Sequence, residues 1–405
     1  MADTSTAPLW LWPPSWGDGA YTETFSFLTS MMIDQQRGTE QRQALRVTPR
    51  KLVEATYAVL DSERTQFDLA VQAVGAQKWR FPLWHYGILV QGLQAGDFSV
   101  DYDFRGRDIV PGQQMVIIGA HIDEYEIVTC DGLDENGHAR LHANIVNDWP
   151  NCSVIPLREA YLTDQPQPLR SNGYVTTVQA RFQLAGPNQY TPAPPTITYR
   201  GLPVITGRGE DQTNGVQGGY QRFVFQLDNG TGAIYRVDTA GRSHTLQSHT
   251  VTVQGAFSYN RVRDFIYTMR GMLNLAWLPT FADDFKLVQP VAANANTLVV
   301  QYVGYSLYGI GNPNRQFVFI ELNNGDRYFG QITGAVTSDG GKTETIAIDY
   351  SIPEAFDPID VYQISFMTQA RLTTDDIELT LVAGIDGVTI APFAFQSAPD
   401  LRAVA

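Results

Sequence analysis

Cysteine is nearly absent: Cys130 and Cys152 are the only two in 405 residues. Two thiols make no disulfide framework in a chain of this length, and no Cys-x-x-Cys spacing exists to hold zinc. The pair reads as reduced thiols in a protein folded in a reducing cytoplasm. Charge is scarce as well, at 17% of residues, and lopsided, with 42 acidic against 28 basic side chains for a formal net charge of -14. A chain of that sign repels phosphate, so no nucleic-acid specificity is expected. Its one basic cluster, Arg42, Arg46, Arg50 and Lys51, reads as a solvated face or an interface rim rather than a DNA site. Long apolar runs are missing too. Stretches such as Val116-Ile117-Ile118 fall far short of the roughly 20 residues of a membrane span. The start, MADTSTAPLWLWPPSWGDG, carries no positive region before its apolar residues and does not read as a secretory signal.

Catalytic patterns are also missing. His121, Asp123, Glu124, Glu126, His138 and His142 crowd one segment, and His-x-Asp puts two ligand types on one strand face. No third ligand is positioned by the pattern, so the segment reads as a hairpin with polar faces in water. SDGGKT (338–343) lacks the first glycine of a phosphate-binding loop, since Val336 stands there, and it reads as a hairpin tip. The acidic pairs Asp283-Asp284 and Asp375-Asp376 point to opposite sides of a strand or turn, whereas glycosidases need two facing carboxyls. No Gly-x-Ser-x-Gly elbow and no Cys/His pair at a known spacing exists. The expectation is a protein that is not an enzyme, with no metal and no cofactor.

What is present is β-forming and aromatic. Residues 1–20 form a Trp/Pro arm with Trp10, Trp12, Pro13, Pro14 and Trp16; proline fixes φ and removes donors, so the arm should be extended. Exposed tryptophans are costly, so they should dock either on this chain's own core or on a neighbouring subunit. Tyr21–Leu28 alternates like a strand, with Tyr21, Glu23, Phe25 and Phe27 on one side. Phe67, Ala70, Val71 and Val74 fall on a helical stripe and predict one short helix over about 62–77, with Ser62 as N-cap and Gly75 as stop. KWRFPLW after it reads as a buried edge strand carrying Pro82. Short strands between Gly, Asp and Asn turns follow, and TPAPP (191–195) reads as a linker. QRFVFQLDNGTGAIYRV (221–237) and RQFVFIELNNGDRYFGQI (315–332) each predict a hairpin with a type I′ Asn-Gly turn.

The fold class expected is therefore mainly β: several small sandwich or barrel domains, one helix and an extended N-terminal arm. The divisions are 1–20 for the arm, 21–95 for a β domain with the helix, and 96–170 for a small barrel-like module. A β module follows over 171–275, and a C-terminal β domain over 276–405.

Two stretches resemble a known family. In the first, WPPSWGDGAYTETFSFLTSMM leads to GTEQRQALRVTPRKLVEATY, the helix and WRFPLW. Its matching residues are Trp12, Pro13, Pro14, Trp16, Thr22 and Glu23, then Glu40, Gln41, Arg42, Ala44, Leu45 and Arg46, then Pro49, Arg50, Pro82, Leu83 and Trp84. The second pairs LPTFADDFKL (278–287) with ISFMTQARLTTDDIEL (364–379), including Arg371 and Asp375. Together they resemble minor tail and baseplate proteins of long-tailed bacteriophages and gene-transfer particles, over about half the chain. The resemblance implies a distal-tail or hub-like structural subunit at the virion tail tip, made in the host bacterial cytoplasm. It implies a homo-oligomeric ring, hexamer or trimer, contacting tube, hub and fibre proteins. Some hub-like relatives carry a cysteine cluster suited to iron and sulfur; two cysteines cannot supply four thiolates, which favours a distal-tail or upper-baseplate ring.

Trp10, Trp12, Trp16, Arg42, Arg46 and Arg50 are the candidate interface residues. Arginine forks fix register when they pair bidentately with a neighbour's carboxylates; the same arginines could instead close ion pairs within their own domain. The alternative function is a phage carbohydrate-binding or glycan-degrading host-recognition protein, because aromatics at 11% also suit stacking on sugar rings.

Overall fold

The structure is a computed structural model that describes residues 7–17, 21–34, 39–121, 123–170, 172–186, 190–207, 215–230 and 232–398. It is mainly β, with antiparallel sheets. The strand Tyr21–Ser26 buries Tyr21, Glu23 and Phe25 and half-buries the residues between them, as its period of two requires. It lies between Arg50–Leu60 and Asp376–Val382, so segments far apart in sequence are sheet neighbours. Beyond Arg50–Leu60 come Val175–Leu184, the end of Trp149–Leu162, and Trp79–Pro82. Beyond Asp376–Val382 come Val388–Ser397, Tyr235–Gln254 and Gln217–Leu227.

The strand Trp149–Leu162 serves two sheets. Its first half pairs with Ile88–Leu93 and Gln113–Ile118, and the ladder continues through Tyr125–Leu133 and Ala139–Leu141 to Ser99–Val100. This smaller sheet packs a core of its own around Phe104, Met115, Ile117, Val128 and Val154. A third group runs from Ala295–Gln301 through Thr343–Ile352, Arg327–Ser338 and Phe317–Leu322 to Val361–Leu372. It encloses Phe285, Leu298, Val318, Ile320, Ile346 and Ile364. The largest core draws on residues from Leu9 to Phe395, across the sequence divisions at 95, 170 and 275.

Helix α1 spans Asp61–Val74. Leu60, not Ser62, is its N-cap, and Gly75, at φ 54, ends it. Phe67 is buried in the main core, with Ala70, Val71 and Val74 packed against it, so the helical stripe faces as its spacing predicts. The expectation of a single helix is corrected. Helix α2 spans Gly255–Met269 and buries Tyr259, Val262, Arg263, Ile266 and Tyr267, and a single turn, α3, covers Tyr305–Tyr308. The α2 stripe has the 3.6 period; an arginine on its inner face and a β-branched lead-in (VTV, 251–253) disguise it.

The hairpin turns are also corrected. A type I′ turn needs positive φ at both central residues. Gly230 (φ 71) and Gly325 (φ 93) have it, whereas Asn229 and Asn324 do not. In the first, Leu227 stands opposite Tyr235, so seven residues rather than two separate the last paired positions. In the second, Glu321 stands opposite Arg327, and Leu322 and Asp326 close the loop through a hydrogen bond of 2.9 Å.

The described part of the arm, residues 7–17, is extended and docks on its own chain; its remaining residues lie outside those described. Leu9 bridges Arg80 in parallel, and Arg80 is bonded on both sides, from Trp10 N to its carbonyl at 2.9 Å and from its N–H to Pro8 O at 2.8 Å. The arm thus covers the free edge of Trp79–Pro82, which Pro82 alone would blunt. Trp10 is fully buried. Its ring meets Trp12, Tyr57, Phe67, Trp79 and Phe182 edge-on at centroid distances of 4.8–5.4 Å, the geometry aromatic quadrupoles favour. Truncating such a ring costs about 3–5 kcal/mol. Trp10→Ala is therefore expected to lower unfolding free energy in denaturant titrations by that amount, equally at low and high protein concentration. A loss that grows on dilution would mean that the arm is exchanged between copies.

Candidate assembly surfaces

Of the sequence-predicted interface residues, Trp10 and Trp12 are buried in the main core and Trp16 is half-buried against Tyr21 at 5.1 Å. Nothing about the first two rings requires a second subunit. Arg42 donates to Met272 O at 3.3 Å and lies 3.9 Å from Glu40. Arg46 donates to Ser26 O at 2.9 Å. Arg50 is exposed, opposite Ser26 in the ladder. Arg42 and Arg46 therefore make contacts inside the chain.

Around Arg42, the two stretches that carry the family resemblance meet. Thr29–Asp34 and Thr39–Ala44 form a two-stranded hairpin apart from the larger sheets. Side chains, not a ladder, attach it. Glu40 receives a bidentate pair from Arg371, at 2.7 and 2.8 Å across 331 residues of sequence. Both side chains are almost fully buried, where a fork-to-carboxylate fit gives the most specificity. Arg371 also reaches Leu372 O and Gln396. Asp375 accepts from Thr29 Oγ1 and Met272 N, each at 2.9 Å. Gly271, at φ 66, lies so close that an added Cβ would stand 2.3 Å from the Asp375 carboxylate, so this position needs glycine for two reasons.

A second network was not legible in sequence. Glu23, on the inward face of its strand, is fully buried. Lys51 Nζ lies 3.0 Å from it, His85 Nε2 3.3 Å, and the Tyr259 hydroxyl donates to it. His85 Nδ1 is 2.9 Å from the Tyr21 hydroxyl. Lys51 is 4.0 Å from Asp108, which Arg158 holds at 3.2 Å. Arg263 of α2 donates to the Tyr86 hydroxyl at 2.7 Å and to Gly106 O at 3.1 Å, and its guanidinium stacks 3.6 Å from the Tyr190 ring. Gly106 has φ 77 and admits Asn260 where a Cβ would be. Burial alone would raise the carboxyls of Glu23 and Asp108; the cations, with Lys51 first, outweigh it and hold both below the usual range. Burial would likewise lower Lys51, but Asp108 and Glu23 keep it charged.

Four of the acidic and histidine residues whose types suit catalysis are bonded within the chain. Glu126 accepts from Val146 N and from Trp149 Nε1, and His142 faces Asp131. Asp283 and Asp284 accept from the backbones of Ile364 and Phe366. No group of three or more His, Cys, Asp or Glu able to hold a metal occurs among the described residues, and no described helix is long and apolar enough to cross a membrane.

Exposed apolar side chains are spread over the described residues, and two of the elements that carry them matter for assembly. Gln217–Leu227 and the start of Tyr235–Gln254 pair with each other; the second strand joins Val388–Ser397 by a ladder from Leu246, and just before it Ser243 is bonded by Asn314, and His244 and Thr245 are bonded to Ser397. The outer part is a projecting two-stranded ribbon on which Phe225, Leu227, Ile234 and Tyr235 are each more than half exposed. The other is the loop around α3, where Leu307 is 68% and Tyr308 83% exposed. Monomeric proteins rarely leave such groups uncovered in clusters.

No family model and no curated protein matches the chain.

Because the Glu23 and Asp108 carboxyls are depressed in the fold, the stability they supply is full above their unfolded values of 4.5 and 3.8. It is lost as pH falls below those values. His249, which burial lowers from 6.5 to about 4, adds an earlier loss between those two pH values. Glu23→Gln leaves Lys51 with Asp108 as its one remaining carboxylate, so it is expected to cost up to about 3–5 kcal/mol at pH 7 and to remove the Glu23 share of the acid loss below pH 4.5 while leaving the Asp108 share and the His249 limb intact. Urea titrations from pH 7 to 3 check this, and parallel curves for the two proteins would contradict it.

Proposed function

We propose that the chain is a structural subunit of a phage tail tip or baseplate. In this reading it forms or joins a ring, hexameric or trimeric, at the distal end of the tail tube and links the tube to hub, fibre and host-recognition proteins. The observation that carries the reading is the Glu40–Arg371 pair. The two stretches that resemble tail proteins lie far apart in sequence, yet their charged residues Glu40, Arg42, Arg371 and Asp375 build one joint. Chance likenesses at two sites have no reason to converge on one set of contacts.

The physical character of the chain supports the same reading. A few charges are buried, at joints that fix how the sheets meet, while the ribbon and the α3 loop leave apolar groups outside. That is the distribution expected of a part that becomes complete on assembly. The cysteine count favours a distal-tail or upper-baseplate position over a cluster-bearing hub.

Gold-labelled antibody against the chain should mark purified phage particles at the tail end distal to the capsid, and the chain should co-purify with the tail-tube protein. Intact particles without the chain would overturn the proposal. So would depolymerised host glycan produced by a chain that stays outside the virion, which would favour the host-recognition alternative.

A further inference from the structure

The projecting ribbon and the α3 loop are built differently, and the difference suggests donor and receiver. In the ribbon, Phe225 stands opposite Val237 and Leu227 opposite Tyr235. Directly opposed residues of an antiparallel pair share a face, so these four make one apolar face, while Gln226 with Arg236 and Val224 with Asp238 make the other. A two-stranded hairpin is at best marginally stable alone in water, so a ribbon of this kind gains order from a surface that covers it.

The loop is rigid before any contact. Glu344 is fully buried and accepts from Val303 N, Tyr305 N, Ser306 N and Ser306 Oγ at 2.6–3.2 Å. Burial would raise its carboxyl, and these donors, led by Ser306, lower it. Tyr305 is buried, donates to Arg315 O at 2.8 Å and stacks on Phe366 at 5.7 Å. Gly309 presses so close to the Tyr305 ring that a Cβ would lie 2.1 Å from it. This frame holds Leu307 and Tyr308 outward as fixed knobs.

We propose that the apolar face of the ribbon docks on the α3 loop of a second copy of this chain, head to tail. The inference rests on the ring-forming reading above and names the surfaces that would make the ring. Two observations select a second copy. Both surfaces are exposed in the same chain, so neither covers the other within one subunit, and a head-to-tail contact covers both. The second is charge. Each copy carries -14 overall, so two copies repel except where acid is missing. Residues 217–254 hold three arginines (Arg222, Arg236, Arg242) against two aspartates (Asp228, Asp238), and residues 302–314 hold no charged side chain. These are places where two acidic bodies can touch without opposing carboxylates.

Area sets the strength. The free ribbon has five residues on its first strand (223–227) and eight on its second (235–242), so it is about 20 Å long and about 10 Å wide, or roughly 200 Å² per face. A stable pair usually needs about 800 Å² per partner. One contact is therefore weak, and stability comes from closing the ring, where every subunit makes the contact twice.

A mixing experiment tests this on the full chain. One variant carries Phe225→Ser and Tyr235→Ser, the other Leu307→Ser and Tyr308→Ser. All four positions are exposed, so unfolding temperatures should match the parent's. By sedimentation velocity, each variant alone is expected to lose the oligomer and run as a monomer at every concentration, while the 1:1 mixture forms a dimer, and nothing larger, only at high protein concentration. The mixture has one intact ribbon and one intact loop, and so one weak contact without ring closure. A mixture with no more self-association at high concentration than either variant alone, or a single variant that still forms the parent oligomer, overturns the proposal while leaving ring formation through other surfaces standing. A parent chain that is monomeric at every concentration overturns this proposal and the ring-forming reading together.

Discussion

A carboxylate on the inward face of a β-strand constrains the rest of this fold. Glu23 sits between Tyr21 and Phe25 on the buried side of its strand, where an unpaired charge would cost several kcal/mol. It is matched by groups from three other elements: Lys51 of Arg50–Leu60, His85 of the turn Trp84–Tyr86, and Tyr259 of α2. Lys51 then needs Asp108, and Asp108 is held by Arg158 on the strand shared with the smaller sheet. Each charge placed to satisfy one neighbour requires another from the next element. The main sheet, the smaller sheet and α2 are thereby fixed in one arrangement. Replacing such a set by apolar groups could well raise stability; what the set supplies is a unique alignment.

The Glu40–Arg371 joint applies the same logic at the surface of the main sheet. The hairpin Thr29–Ala44 has no ladder to the larger sheets, so its orientation depends on that bidentate pair and on Asp375. A hairpin aimed by buried ion pairs keeps its direction, and a part that must meet neighbours in register needs that. Beside these rigid joints, the ribbon ending at Leu227 and Tyr235 and the knobs Leu307 and Tyr308 are left uncovered. Buried joints inside with apolar groups left outside are what the proposed role in an assembly would require.

The sequence made the mainly β class, the strand at Tyr21, the helix near 62–77 and the arm's extended form readable, because each depends on local period or on proline. It left the arm's docking site open, since burial of Trp10 depends on Tyr57, Phe67 and Phe182, which no local pattern connects. Helix α2 went unread because Arg263 interrupts its apolar stripe, and that arginine is explained only by Tyr86 and Tyr190. The Asn-Gly turns misled for a related reason: the dipeptide permits a two-residue turn, but loop length and register decide whether one forms. Alternation puts Glu23 on one side of its strand with Tyr21 and Phe25, yet its partners come from remote elements. Arg371 and Glu40 were visible as members of two motifs and became a joint only in three dimensions.

Electron microscopy of the purified full chain at rising concentration is the most direct measurement of the account as a whole. The account predicts closed rings of one order, threefold or sixfold, with a central opening wide enough to continue a tail tube. Separate single particles at every concentration, or open filaments with no closed form, would contradict it.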